Sequence, residues 1–456
     1  VGRRSLLADE GWRKLNQDRK LLYEMQLQKF SKRDTDRYLQ KIGIENGGVR
    51  NKIYKATQGL PYYLDWVRKQ REEGVELDFS KGNQAIADLL LQGTVPQQRK
   101  ILQVVACCRS FDLAIIRYLL ENNFSDLRNC IDNVEGCFEW LKHSDFVEFT
   151  KGHYRLDDVA RDVFRQSYFQ EDQSQFRKTH ALLADYFKKK ADEIVDPQKL
   201  LPEPYEDEEW RKLIAEFLYH GLFGKGKDGL REYIEKVFAG AYLKEPDIFI
   251  APFAFIRAEM KEENQHYLLS NATNKFFNGS EIALGFAWFL LDQSPKSYKL
   301  DFKDENNLSE AAINNRLEKI ERSLKNLLEY VDDLEDSFSK SVGLIFKFFR
   351  CSNSRESVDL LLQAKRQTEL LFTACRPKLL HNLFSQLGYF LENLNYYEDS
   401  LNCCQKALEL HQADAFTFVS QGIALGKLER YIEALESFQK AIDLNPKELF
   451  SWANKG

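Results

Sequence analysis

Two stretches of this 456-residue chain carry residue types that could face a phosphate or a nucleotide. In the first, Gly221-Leu-Phe-Gly-Lys-Gly226-Lys227-Asp228, the residues Gly221, Gly226 and Lys227 meet the Gly-x4-Gly-Lys spacing of a phosphate cradle. The chemistry fails at the next position. Asp228 stands where a Ser or Thr hydroxyl would hold magnesium, and the preceding "AEFLYHGLF" has a helical pattern where a strand is required. This stretch therefore reads as a helix end and loop, and no acidic strand of the ATPase kind is visible. The second stretch is the turn Gly59-Leu60-Pro61 inside "TQGLPYYLDW". Gly59 frees the backbone and Pro61 fixes φ at a first helical position, which suits a plain loop or a turn that touches a nucleotide.

Other constellations are sparse. The seven histidines are scattered, and none forms His-Glu-x-x-His or pairs with cysteine at metal spacing. His220, in "FLYHGLF", reads as a helix-packing residue. No Gly-x-Ser-x-Gly occurs. The eight cysteines include the adjacent pairs Cys107-Cys108 and Cys403-Cys404, and no Cys-x-x-Cys. They sit in apolar helical patterns, as reduced buried thiols do, and form neither a disulfide frame nor a zinc site. The formal net charge of −5 gives no reason to expect nucleic acid or an anionic membrane as partner. The longest apolar run, Ile282 to Leu291, is about half of a membrane span. With no signal peptide in view, these features together suggest a cytoplasmic protein. The chain begins at Val1 without methionine and stops at Gly456 within a repeating pattern, so a piece of a longer protein is expected.

The elements that must position these residues are helical, and they are clearest at the carboxyl end. Within 415–446, Phe418, Gly422 and Leu425 mark one helix, and Ala434, Leu435, Phe438, Ala441 and Ile442 mark a second that Asn445-Pro446 stops. A period of 34 links Gly388, Gly422 and Gly456, then Phe384, Phe418 and Trp452, then Ala407 and Ala441. This resembles the tetratricopeptide repeat, whose period is about 34 residues. Small residues at Gly422 and Ala434 let the two helices approach, and Phe418 and Phe438 fill the gaps between neighbouring pairs. Pro446 turns the chain towards a third unit that begins with Trp452. In 381–414 the match weakens, with Ser400 at the small-residue position and Gln412 at the proline position.

Upstream, 305–376 is helix-like, and 334–350 with 355–374 suit a worn repeat pair, as stacking arrays tolerate. Residues 192–209, "DEIVDPQKLLPEPYEDEE", carry three prolines among acids and read as a linker or exposed loop. Residues 210–294 read as further Phe-rich helices. Over 98–121 two helical patterns appear, and a third helix carries Phe138 and Leu141. Two alternating stretches follow, Phe146–Phe149 and Tyr154–Leu156, about a Lys151-Gly152 turn. Helices followed by a β-hairpin is the plan of a winged helix. Ten Lys and Arg face eleven Asp and Glu over 99–165, a balance that argues against a wing gripping DNA phosphates.

The first 170 residues resemble the end of a STAND-class signalling ATPase, the group that includes NB-ARC proteins. "VGRRSLL" is similar to the stub of a core strand whose arginine senses the γ-phosphate, with Arg3 the better candidate and Arg4 the alternative. A tryptophan loop (Trp12) and the segment 23–44 would lead into a helical lid, for which Ser31 is a sensible N-cap with Asp34 in the first turn. "ATQGLPYYLDWV" resembles the family's Gly-x-Pro turn. The resemblance implies that Gly59 and Pro61 set the lid angle and that the proline packs on adenine. Leu156-Asp157-Asp158 stands at the Met-His-Asp-like motif, whose histidine touches the β-phosphate of ADP. Asp157 in its place would repel that phosphate, whereas Asp158 retains a structural part and Arg161 could pair with it.

The expected fold is mainly α, a helical lid and winged-helix domain followed by a helical array ending in tetratricopeptide repeats. The expected division is 1–75 (end of the NTPase core and lid), 76–168 (helices and winged helix), 169–300 (helical spacer with the acidic loop 192–209), 301–380 (degenerate repeats) and 381–456 (tetratricopeptide repeats). The resemblance implies a nucleotide-switched regulator whose repeats bind a protein or peptide. ATP or ADP would be held by the full-length protein, with nucleotide-dependent oligomers in prospect. This chain itself would carry no cofactor, metal or catalytic constellation. Two other classes stay open: a pure repeat scaffold, and a winged-helix transcription regulator.

Overall fold

A computed structural model describes residues 29–74, 95–123, 134–144, 146–150, 152–196, 199–259, 268–280, 318, 324–411 and 413–447. Arg3, Arg4, Trp12, Cys130, the run 282–291, Trp452 and Gly456 lie outside these residues. The chain divides into two compact units, Val1–Tyr186 and Phe187–Gly456.

In the first unit, three helices come first: α1 (Lys32–Lys41), α2 (Gly47–Thr57) and α3 (Pro61–Glu72). Ser31 caps α1 by accepting from the Asp34 N–H, and Asn46 caps α2 by accepting from the N–H groups of Gly48 and Val49. Leu39, Ile53, Leu64 and Val67 close one small core among the three helices. The helices α4 (Pro96–Cys107), α5 (Leu113–Asn123) and α6 (Val134–His143) follow, then an antiparallel hairpin of β1 (Val147–Thr150) and β2 (His153–Leu156). Val147 faces Leu156, Glu148 faces Arg155 and Phe149 faces Tyr154. The Phe111 N–H donates to the Tyr154 carbonyl at 2.8 Å, so the residues just before α5 border the hairpin.

Helix α7 (Asp158–Glu171) follows β2 and packs on α4. Its Arg161 and Arg165 are buried. Arg161 Nε donates to the carbonyls of Ala106 and Cys108 at 3.1 and 2.9 Å. A cation thus answers the orphan carbonyls at the end of α4. Arg161 is also among the cations that lower the Asp158 carboxyl. Helix α8 (Gln173–Ile194) carries the division between the units at Tyr186 and Phe187.

The second unit begins with the end of α8, then α9 (Glu203–Glu206), α10 (Glu208–Gly224), α11 (Gly226–Tyr242), α12 (Asp247–Glu259) and α13 (Asn271–Ser280). Tyr219, Phe223, Tyr233, Phe238 and Phe249 are buried here, which accounts for the aromatic load of 210–294. His220 is fully buried and stacks on Phe187 with centroids 5.6 Å apart. Around Gly221–Lys227, α10 ends at Gly224 and α11 starts at Gly226, leaving no strand-to-helix cradle.

Within 192–209, read from sequence as a linker or exposed loop, Leu201 and Tyr205 are anchored. The Leu201 N–H donates to the Ala374 carbonyl, and the Arg376 N–H donates to the Leu201 carbonyl, at 3.0 and 2.9 Å. Arg376 also pairs with Glu203, and Tyr205 is buried beneath the Lys236 ammonium. Composition marked a loop, whereas Tyr205 and Leu201 supply the anchors that hold it down.

The remaining helices form three antiparallel pairs: α14 (Ser337–Arg350) with α15 (Ser354–Glu369), α16 (Pro377–Asn393) with α17 (Tyr397–Leu410), and α18 (Ala415–Lys427) with α19 (Tyr431–Leu444). Each pair packs on the next, with α15 on α16 and α17 on α18. The first pair falls on the segments read as worn repeats. Outside the hairpin and two isolated bridges, the described residues are helical or irregular, so the fold is mainly α.

Candidate functional site

The Gly59 turn is fixed from both sides. Gln58 and Gly59 take consecutive left-handed conformations, φ 50° and 72°. The Gly59 carbonyl accepts from the Phe30 N–H at 2.8 Å. A Cβ on Gly59 would lie 2.2 Å from the Phe30 carbonyl oxygen, so only glycine fits. Pro61 is exposed and occupies the first turn of α3, where its missing N–H costs nothing.

Two residues beyond Pro61, α3 turns Tyr63 inward, where it is 1% exposed. Its hydroxyl donates to Asp157 Oδ2 at 3.0 Å. Asp157, also buried, caps α7: its Oδ1 accepts from the N–H groups of Val159 and Ala160 at 3.0 and 2.8 Å. Gln58 donates to Asp162 at 3.3 Å, and Lys29 pairs with Asp158. The turn and the post-hairpin motif, read separately from sequence, therefore meet. Tyr63 and Lys29 were not foreseen. The signal for Tyr63 was the doubled tyrosine after Pro61, one of which lies on the buried face of α3.

Asp158 is held below the usual carboxylate range. Burial pushes it up, but the Lys29 ammonium, through hydrogen bond and charge, outweighs that, helped by Arg155 and Arg161. Arg155 reaches both Glu148 across the hairpin and Asp158.

The Pro61 ring is exposed. The α7 N-terminus offers nothing to a phosphate, because Asp157 already takes its N–H groups and Asp158 adds a second negative charge. An ADP phosphate does not fit at Asp157.

The repeat pairs form the second functional feature. Phe384, Ala407, Phe418, Ala434, Phe438 and Ala441 are all buried. A Cβ on Gly422 would lie 2.6 Å from the Phe438 ring, and one on Gly388 would lie 2.8 Å from Cys404 Sγ. Cys404 in one pair thus stands where Phe438 stands in the next, and Ser400 where Ala434 stands. Phe418 packs with Leu408 of the preceding pair, as expected of a residue between pairs. Phe438 covers Gly422 within its own pair and also meets Leu401 of the preceding one. Pro446 lies in the turn after α19. Burial pushes the Cys403 and Cys107 thiols up to about 12, which keeps them protonated and inert.

No helix among the described residues is long and apolar enough to cross a membrane. No curated protein matches the chain. Among solved structures it is similar to a signal transduction ATPase with numerous domains (STAND) carrying a tetratricopeptide repeat sensor, from Pyrococcus horikoshii. Identity is 16% and the TM-score 0.31, covering 94% of this chain and 61% of that one. The chain thus spans about three fifths of that protein's length. Residues 381–414 and 418–448 match the tetratricopeptide repeat family. The last two helix pairs, α16–α17 and α18–α19, are tetratricopeptide repeats.

Proposed function

We propose that this chain is the partner-binding, regulatory part of a nucleotide-switched ATPase of the STAND kind. The repeats dock another polypeptide. The helices α1–α3 act as a lid on nucleotide held by chain outside this sequence, with the hairpin and α7 as the winged-helix domain that senses the lid. The observation that carries this is the hydrogen bond from Tyr63 to Asp157, which ties the segment following the Gly-x-Pro turn to the segment standing at the Met-His-Asp-like motif. In this arrangement the tie runs through protein groups, and nucleotide acts on it by moving the Pro61 turn. Partner binding biases the switch only to the extent that it prefers one arrangement over the other.

The test is Pro61→Ala in the full-length protein, with ADP retention as the readout. Weakened retention is expected, and unchanged affinity removes the lid assignment. A second reading, a repeat scaffold without nucleotide, draws on the self-capped α7 and gains if the full-length protein binds neither ATP nor ADP.

A further inference from the structure

His381 is buried on α16, where its ring meets the end of α17 and the start of α18. Its Nδ1 lies 2.9 Å from the carbonyl oxygen of Ala407, in the last turn of α17. Its Nε2 lies 3.1 Å from Asp414 Oδ2. Asp414 is the N-cap of α18, and its carboxylate accepts from the N–H groups of Phe416 and Thr417 at 3.2 and 3.3 Å. The Thr417 hydroxyl donates to the same carboxylate and lies 2.6 Å from the hydroxyl of Ser385, one turn along α16 from His381. Ser385 itself donates to Asp414 at 3.5 Å. One imidazole therefore touches the C-terminus of one helix and the cap of the next.

A neutral imidazole carries one N–H. With the proton on Nδ1 it donates to Ala407 but turns the Nε2 lone pair on a carboxylate oxygen. With the proton on Nε2 it serves Asp414 but turns the Nδ1 lone pair on a carbonyl oxygen. Only the doubly protonated ring serves both acceptors. The one other titratable group against the ring is His411, just past α17, which stands edge-on with centroids 5.2 Å apart. On the elements packed against α16, Glu369 of α15 pairs with Lys406 of α17, and Lys365 of α15 pairs with Asp399 of α17, so these charges answer one another. The repeat pattern does not supply the contact. The residue 34 places after His381 is Ala415, and the one 34 places before Asp414 is Leu380.

We propose that His381 is a proton-operated latch at the joint between the two matched repeats. Doubly protonated, it clamps the end of α17 and the cap of α18 onto α16. Loss of one proton, the charge change that histidine undergoes near neutrality, abandons one of the two acceptors. The Asp414 cap is then held less firmly and the first turn of α18 loosens. The latch is closed in acid and opens as pH rises.

The experiment is hydrogen exchange on the full chain at pH 5 and pH 9, read as protection factors for the first turn of α18. The first turn of α15, which Asn353 caps through Arg355 and Glu356, is the internal reference. Between the two pH values, protection at Phe416 and Thr417 should fall about tenfold relative to that reference. Asp414→Asn keeps a capping oxygen and brings an amide NH2 that can donate to a neutral Nε2, so the fall should vanish. His381→Gln should abolish it as well, and His411→Gln should leave it in place. If His381→Gln does not fold, Asp414→Asn decides. A protection ratio that does not change with pH overturns the latch. So does a fall that survives Asp414→Asn, or one that His411→Gln removes.

Discussion

The Tyr63 hydroxyl donates to Asp157 across a sequence separation of 94 residues, with both side chains buried. A hydrogen bond to a charged acceptor contributes about 1.5–3 kcal/mol. Tyr63→Phe keeps the packed ring and removes only the hydroxyl, so a loss in that range is expected on chemical denaturation. Asp157→Ala should cost more, since it also removes the α7 cap, worth about 1 kcal/mol. A double-mutant cycle checks the link: a coupling below about 0.5 kcal/mol would mean that the two residues act independently.

Asp158 gives a pH signature. Its carboxyl lies below the usual value in the folded chain. The stabilisation is therefore present above the unfolded value of about 3.9 and is lost as pH falls through the lower folded value. Asp158→Asn should lower the melting temperature at neutral pH, and the gap to the unaltered chain should close in acid. Both Lys29 and Asp158 are more than a third exposed, so solvent screening keeps the gap small and salt narrows it further. A gap that widens in acid would contradict the assignment.

Gly59→Ala must place a side chain at φ 72° and push it against the Phe30 carbonyl. The left-handed conformation alone costs about 1–2 kcal/mol, and the clash adds to it. Faster hydrogen exchange at Phe30 and along the first turn of α3 is the expected mark. Unchanged protection there would show that the turn is not pinned.

Two neighbouring glycines of α18 should respond in opposite directions. Gly422→Ala drives a methyl into the Phe438 ring and should cost about 1–3 kcal/mol. Gly426→Ala meets nothing nearer than the Ala434 Cβ at 4.0 Å, and should gain up to about 1 kcal/mol from helix propensity. Thermal melts of the two variants test the packing directly; equal shifts would refute it.

What was legible in the sequence was local or periodic. Gly59 and Pro61 signalled a turn and helix start because each has a backbone property that needs no partner. The spacing of Gly388 and Gly422 revealed helix pairs because each glycine faces the residue sixteen places on, Cys404 or Phe438. The hairpin showed itself by alternation about Lys151-Gly152. The bond between Tyr63 and Asp157 left no such trace, since a contact across separate elements has no period. Asp157 and Asp158 were told apart only through the resemblance, and neither the cap that one makes from inside the core nor the surface lysine that the other holds was legible. The carbonyl partners of Arg161 were hidden for the same reason, being brought in by α4.

The fastening of Leu201 to Ala374 and Arg376 shortens a path. Along the chain, the end of α8 is far from the start of α16; through these two hydrogen bonds and the Arg376–Glu203 pair it is a few residues away. The matched repeats start at residue 381, so this clasp at Ala374 and Arg376 closes a long loop of chain just ahead of their first helix.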